Sequence, residues 1–290
     1  MHGYRRAQIV AGLEAEGLVF RTFTIGHDSP HAVADWDWNQ RDLPHIPHIH
    51  GGFRLVPLVV GDDLASGLFV QKLLGFSLPL GVTYHHASAS TRVYTTTLGP
   101  LALVVEASLE AIATGSRVTT VYSLGIRPAL RLILPAAEWF LRRNYAQVRD
   151  EDEPLRVRRT ELRRWGYRFD DHGSYQRSLD LSTGKIKHPN VSPQRVELTL
   201  GDVLVGRADH LGLRVISTPD AWLVFPRMCE HQGASLDTCA LQGSTLTCPW
   251  HGRQIACVAR FDRSDRSQRA QILEHHRLTR HGHRLLVEPL

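Results

Sequence analysis

Four residues in the last third of the chain have the types and spacing to bind metal. They are Cys229 and His231 in Cys-Glu-His-Gln-Gly233, then Cys248 and His251 in Cys-Pro-Trp-His-Gly252. Each stretch offers one thiolate and one imidazole, and sixteen residues lie between His231 and Cys248. Two such loops suit a two-iron, two-sulfide cluster in which the cysteines hold one iron and the histidines the other. Neutral imidazoles on one iron raise the potential above that of an all-cysteine cluster. Gly233 and Gly252 let each loop turn tightly beside the metal. Two other readings use the same residues. A structural zinc can also take two Cys and two His, although zinc modules more often pair Cys with Cys and His with His. A Cys229–Cys248 disulfide is disfavoured in a reducing compartment.

Together with Gly233-Ala234, these two segments resemble the Rieske family, and most closely the Rieske domains of ring-hydroxylating oxygenases. The resemblance implies a [2Fe-2S] cluster on Cys229, His231, Cys248 and His251. It also singles out Asp42-x2-His45-x4-His50, which is similar to the segment by which those oxygenases present two histidines to a mononuclear iron. The resemblance implies His45 and His50 as ligands of mononuclear Fe(II), with Asp42 as the electron bridge between the two centres. Chemically, two imidazoles and a carboxylate on one side of an iron leave positions open for O2 and substrate. An aspartate nearby can accept the far N–H of a ligand histidine and fix its tautomer. The residues also allow blander readings. Asp42 before Leu43-Pro44 looks like a helix N-cap, and His48 offers competing pairs with His45 or His50. Pro47 within the motif departs from the family pattern.

A third ligand has to come from elsewhere. Asp150-Glu151-Asp152-Glu153 lies on a long helical pattern whose apolar residues are Leu130, Ile133, Leu134, Ala137, Leu141, Tyr145, Val148 and Leu155. Steps of three and four carry that stripe through Asp152 and turn Asp150, Glu151 and Glu153 away from it. A carboxylate on an apolar face is costly unless paired or bound to metal. The oxygenase resemblance points to the same residue, since its monooxygenase-type members carry a Glu-Asp pair on their final helix. The competing reading is a solvated acidic patch with Arg149 and Arg156.

The elements that must position these residues are legible more coarsely. The chain has 290 residues, 42% hydrophobic and 22% charged, with a formal charge of +5, as expected of one large or two modest globular domains. Acids are interspersed with the basic residues and there is no basic-aromatic motif, so no nucleic-acid partner is expected. No signal-type run or membrane span is expected either, and the location is read as cytoplasmic. Cys239 and Cys257 read as small buried residues. Residues 1–35 show a short helical pattern and then a stretch with little signal. Strand-like runs occupy 53–60, 91–98, 101–110 and 116–124, with a helix or loop wall over 62–75. The long helix follows from Pro128, and Pro135 and Pro154 are expected to bend or break it. Short strands and turns fill the remainder.

The expected fold is α+β: a helix-grip (START-like, Bet v 1-like) antiparallel sheet closed by a long helix over 1–180, a linker over 181–196, and an all-β Rieske domain over 197–290. This order is permuted relative to the oxygenases, whose Rieske domain comes first. The expected activity is that of a Rieske non-heme iron oxygenase acting on a small or medium hydrophobic organic substrate. By the same resemblance a ferredoxin or flavin reductase supplies electrons, and the assembly is a homotrimer. Tyr84, His85, His86 and Trp139 are candidate pocket residues. The alternative is an electron-transfer protein whose first domain binds a hydrophobic ligand without a mononuclear iron.

Overall fold

A computed structural model describes residues 3–42, 45–50, 53–61, 63–73, 76–169, 195–200, 203–204, 212–265, 270–273 and 276–290. The expected linker lies outside the described residues up to position 194. Two compact units result, Met1–Thr160 with Asp171–Asp180, and Glu161–Asp170 with Leu181–Leu290.

The first unit opens with helix α1 (Arg6–Ala15), whose N-terminus is closed by the Arg5 N–H donating to Gln8 Oε1 at 2.9 Å. Strand β1 (Val19–Ser29) and helices α2 (Val33–Arg41) and α3 (Ile46–Ile49) follow. Six further strands are β2 (Phe53–Val60), β3 (Leu64–Leu73), β4 (Phe76–Ser88), β5 (Thr91–Leu98), β6 (Leu101–Ile112) and β7 (Gly115–Ile126). All seven form one antiparallel sheet in the order β1-β7-β6-β5-β4-β3-β2. From β2 to β7 each strand pairs with the next in sequence. At the β5–β6 turn Gly99 has φ +56°, a conformation in which a Cβ is strained. The meander then returns β7 to pair with β1 along its whole length, Val19 opposite Ile126 through Ser29 opposite Ser116.

Two expectations are corrected here. The segment 62–75 is strand β3 over Leu64–Leu73, not a helix or loop wall. Its buried Ala65, Gly67 and Phe69 alternate with more open Ser66, Leu68 and Val70, the two-residue period of a strand with one covered face. Residues 19–29, which carry little sequence signal, are β1.

After a 3-10 turn (Pro128–Ile133), helix α4 runs from Leu134 to Arg164 without a break. Pro135 falls in its first turn, where a missing N–H costs nothing. Pro154 lies inside the helix at an exposed position, where water can take the carbonyl that its absent N–H leaves. Leu134, Ala137 and Leu141 pack on Phe23, Leu124 and Ile126 of the sheet. The helix is thus held in the grip of the strands, and the first unit has the helix-grip fold. Leu130 and Ile133, read as the start of the inward stripe, are instead 43% exposed each.

The second unit is built of short antiparallel strands: β8 (Val196–Thr199), β9 (Val203–Leu204), β10 (Leu213–Ser217), β11 (Ala221–Pro226), β12 (Leu241–Gln242), β13 (Thr245–Thr247), β14 (Gln254–Ala256), β15 (Ala259–Asp262), β16 (Ala270–Leu273), β17 (His276–His281) and β18 (Arg284–Pro289). They form sheets of order β15-β11-β10-β9, β12-β13-β14 and β16-β17-β18-β8. Val215, Trp222, Val224, Leu278 and Leu285 are among the residues of its core. Among the described residues no helix is long and apolar enough to cross a membrane.

Candidate metal centres

In the second unit the four predicted cluster residues sit on two loops of the same design. One follows β11 and the other joins β13 to β14, closed by the Thr247–Gln254 pair. In each, the cysteine N–H donates to the carbonyl five residues on, Cys229 to Ala234 and Cys248 to Arg253, both at 2.8 Å. In each, the glycine four residues on donates back to the cysteine carbonyl, Gly233 to Cys229 and Gly252 to Cys248, both at 2.9 Å. Both glycines have positive φ, +84° and +69°. A Cβ on Gly233 would come within 2.4 Å of Leu162 Cδ1, so the position needs glycine for its space as well as its backbone.

The loops bring their donors together in a buried place. Cys229, His231 and Cys248 are each 1% exposed and His251 is 6%. The two imidazole centroids are 4.8 Å apart at 81°. The contact between the two thiols, with burial, pushes Cys229 up, and the same contact together with His251 pulls Cys248 down. Two soft sulfur donors and two imidazoles in one buried space fit the donor set of a mixed cysteine–histidine iron–sulfur cluster. All four cysteines are free, and Cys239 and Cys257, read as buried, are half-buried.

In the first unit, α3 explains the spacing of the other motif. His45 is its N-cap and His50 its C-cap, so a single helical turn separates them, closed by His50 N–H donating to Ile46 O at 2.9 Å. Pro47 occupies the first turn, where it needs no hydrogen-bond partner. Asp42 is the C-cap of α2 rather than an N-cap. His48, the competing ligand, is exposed, while His45 and His50 are 3% and 4% exposed.

Opposite them stands Asp152, 7% exposed. His45 Nε2 is 3.2 Å and His50 Nε2 is 3.1 Å from its Oδ1. The three donor atoms lie within 4.8 Å of one another. The far nitrogens decide the chemistry. His45 Nδ1 makes a short hydrogen bond to the main-chain carbonyl of Asp42, which can only accept, so Nδ1 carries the proton. His50 Nδ1 is 2.7 Å from Glu151 Oε2, again an acceptor. Each imidazole therefore turns its Nε2 toward the same carboxylate oxygen, and a proton or a metal ion has to stand between them. Burial works to raise Asp152, but the hydrogen bonds and charges of His45 and His50 outweigh it and hold the carboxyl well below its usual range. Burial pulls His50 down, yet Asp152 and Glu151 leave it raised.

Four details differ from the sequence reading. Asp42 supports His45 through its carbonyl, and its carboxylate Oδ2 lies 3.9 Å from His45 Nδ1. Glu151, expected to point away, is the partner of His50. Glu153 bonds His31 at 2.8 Å. Nor is Arg156 part of a solvated patch. Its side chain is fully buried, donating to Asn39 Oδ1 at 3.0 Å and stacking 3.9 Å over Trp36. Arg159, also fully buried, pairs with Asp35 and lies 4.2 Å over Trp38. These contacts fasten α2 to α4 and so bring the residues after α2 up to Asp152. The only sequence signal for them is position, since 155, 156, 159 and 162 continue the inward stripe beyond Asp152.

A cavity of about 350 Å3 adjoins His45, His50 and Asp152. None of Tyr84, His85, His86 and Trp139 lines it. Tyr84 is fully buried in a core cluster and bonds His86 at 2.8 Å. His85 donates to the Tyr4 carbonyl, and Trp139 is 64% exposed. The walls come instead from residues such as Phe69, Tyr94, Tyr122 and Tyr145.

If His45, His50 and Asp152 hold a metal ion, Glu151→Ala is expected to weaken its binding about 10- to 100-fold, measured by competition with a chelator. Unchanged affinity would remove Glu151 from the site.

Residues 179–273 match the family of Rieske [2Fe-2S] domains, which covers less than half of the chain. The match implies a [2Fe-2S] cluster and an electron-transfer role, as is usual for domains that receive electrons from a reductase. No curated protein matches the chain in sequence. Among solved structures the chain is similar to Ara h 8.0201, with 15% identity, 37% of this chain and 77% of that one covered, and a TM-score of 0.33. It is similar also to the di-domain ARO/CYC StfQ from the steffimycin biosynthetic pathway, with 15% identity, 49% and 50% covered, and a TM-score of 0.40. The truncated norcoclaurine synthase from Thalictrum flavum follows at 10% identity, 41% and 84% covered, and a TM-score of 0.35. The chain spans half the length of StfQ. Likenesses of this degree carry no function, and the helix-grip assignment rests on the chain's own strand order and the packing of α4.

Proposed function

We infer that this chain is the terminal component of a Rieske-type non-heme iron oxygenase, in which Cys229, His231, Cys248 and His251 hold the [2Fe-2S] cluster. His45, His50 and Asp152 hold a mononuclear Fe(II). The observation that carries the reading is the convergence of two buried Nε2 atoms on one Asp152 oxygen, with both Nδ1 protons already committed to acceptors. When bound, an iron with two imidazoles and one carboxylate keeps positions open for O2 and an organic substrate, and a Rieske cluster stores and passes single electrons.

The chain's own residues do the positioning. The Asp42 carbonyl and Glu151 hold the two imidazoles in the tautomer that exposes Nε2. Arg156, 3.7 Å from Asp152 Oδ2, balances the buried carboxylate. Apolar and aromatic side chains form much of the wall of the adjoining cavity, where a small or medium hydrophobic organic substrate binds. Asp42, 1% exposed beside His45, is the proposed point at which electrons reach this site. Their source is a ferredoxin or flavin reductase, and the assembly is a homotrimer.

Metal analysis of the purified chain tests this directly. About three irons with about two acid-labile sulfides per chain are expected. Two irons at full cluster occupancy would leave an electron carrier fused to a ligand-binding domain, and a colourless zinc protein would remove the cluster as well.

A further inference from the structure

A cluster of exposed apolar side chains marks the start of α4. Leu130, Leu132, Ile133 and Trp139 are 43%, 86%, 43% and 64% exposed. Leu132 is the most exposed large apolar side chain among the described residues, and no residue of the 3-10 turn before the helix is buried. The helix does not need these groups for its own packing. Leu134, Ala137 and Leu141 serve the sheet. Ala136, Trp139 and Arg143, spaced by three and four residues, form a second stripe, and all three are exposed. That spacing puts them on one face of the helix, turned away from the sheet. A contiguous exposed apolar patch of this kind marks a surface that something else covers.

The charges in the patch have one sign, and they narrow what covers it. Arg127, Arg131, Arg142 and Arg143 are all exposed. The one acid between positions 127 and 143 is Glu138. Its side chain is 15% exposed and is already taken by Arg21 and, at 2.8 Å, by Arg142. Arg127, Arg131 and Arg143 have no carboxylate partner among the described residues, and Arg143 lies 5.9 Å over the Trp139 ring. A second copy meeting this patch with its own would set arginine against arginine. An anionic lipid surface suits every part of it. Aliphatic groups enter the boundary between headgroups and acyl chains, an indole sits at headgroup level, and guanidinium groups reach the phosphates over apolar stems. We propose that this end of α4 docks the chain on the surface of an anionic phospholipid membrane. Leu130, Leu132, Ile133 and Trp139 insert, while Arg127, Arg131 and Arg143 face the headgroups. The chain lies on the membrane and does not cross it. None of these residues belongs to either metal centre, so the proposal goes beyond the oxygenase reading and stands apart from it.

The test is sedimentation of the full chain with lipid vesicles. The chain is expected to bind phosphatidylcholine vesicles that contain about 30% phosphatidylserine at least about tenfold more tightly than pure phosphatidylcholine vesicles. Raising the salt from about 0.1 to about 0.5 M should weaken that binding, because the headgroup charges are then screened. Arg127→Gln with Arg131→Gln is expected to weaken it about fivefold for each arginine removed. Leu132→Ser with Trp139→Ser is expected to weaken it at least about tenfold at unchanged salt. Both double variants alter only exposed residues, so their circular dichroism should match that of the unaltered chain. Equal binding to neutral and anionic vesicles would overturn the proposal, as would undiminished binding by either double variant. Absence of binding to both kinds of vesicle would overturn it too. In that case, loss of an oligomer in Leu132→Ser with Trp139→Ser, followed by sedimentation velocity, would give the patch to another copy of the chain. Metal content enters none of these outcomes, so a failure here is distinct from a failure of the iron reading.

Discussion

Replacing Asp152 by Ala or Asn is expected to lower the iron bound by about one per chain, abolish turnover and leave the visible absorption of the cluster unchanged. Among the described residues the carboxylate is a group that both His45 and His50 face, at 3.2 and 3.1 Å. Without it, the buried imidazoles keep two neutral donors and lose the negative charge that offsets a divalent cation. The loss should exceed the about 10- to 100-fold expected from removing a supporting residue such as Glu151. Asn is the sharper substitution because it keeps the shape against Arg156 while deleting the charge. The cluster residues belong to the other compact unit and have their own ligands, so the two effects should be independent. Iron and sulfide analysis beside an absorption spectrum decides the matter. A variant that keeps its third iron and its turnover would show that Asp152 is not a ligand.

Cys248→Ala should do the converse, removing about two irons and about two sulfides and bleaching the visible absorption. Cys248 is 1% exposed on the same loop as His251, and a thiolate is the form that binds iron. Its loop has no other sulfur to offer. Because metal binding contributes to folding, the melting temperature should fall as well. Cys257→Ala is the control: that residue is half-buried outside the two loops and should leave absorption and metal content unaltered. If Cys248→Ala retained the absorption, the cluster would have to be placed on other residues.

The candidate sites were unevenly legible. Cys229, His231, Cys248 and His251 were readable because each loop is a local object, in which the cysteine, histidine and glycine lie within five residues and close their own hydrogen bonds. The choice of Asp152 among four acids followed from helical periodicity, and its burial bears that geometry out. The same reasoning misplaced Glu151. One step along a helix turns a side chain by about 100°, but a glutamate is long enough to reach back to a histidine beside the stripe. The competing reading placed Arg156 in a solvated patch, because a charged residue on a helix usually is solvated, and Arg159 carried no signal of its own. Here Trp36, Trp38, Asn39 and Asp35 of α2 enclose them. The pocket residues failed for a related reason. Tyr84, His85 and His86 alternate along β4, and alternation alone does not tell which face borders a cavity.

The sequence by itself determined the donor chemistry: two Cys-His loops with their glycines, one helical turn between His45 and His50, and a carboxylate on the inward face of a long helix. Those features are local, set by spacing and by the periods of helix and strand. Only the tertiary structure decided which groups complete them. His45 meets Asp152 across 107 residues, and Arg156 meets Asn39 across 117. Such pairings depend on how α2 lies on α4 once the sheet has closed, which no local pattern encodes.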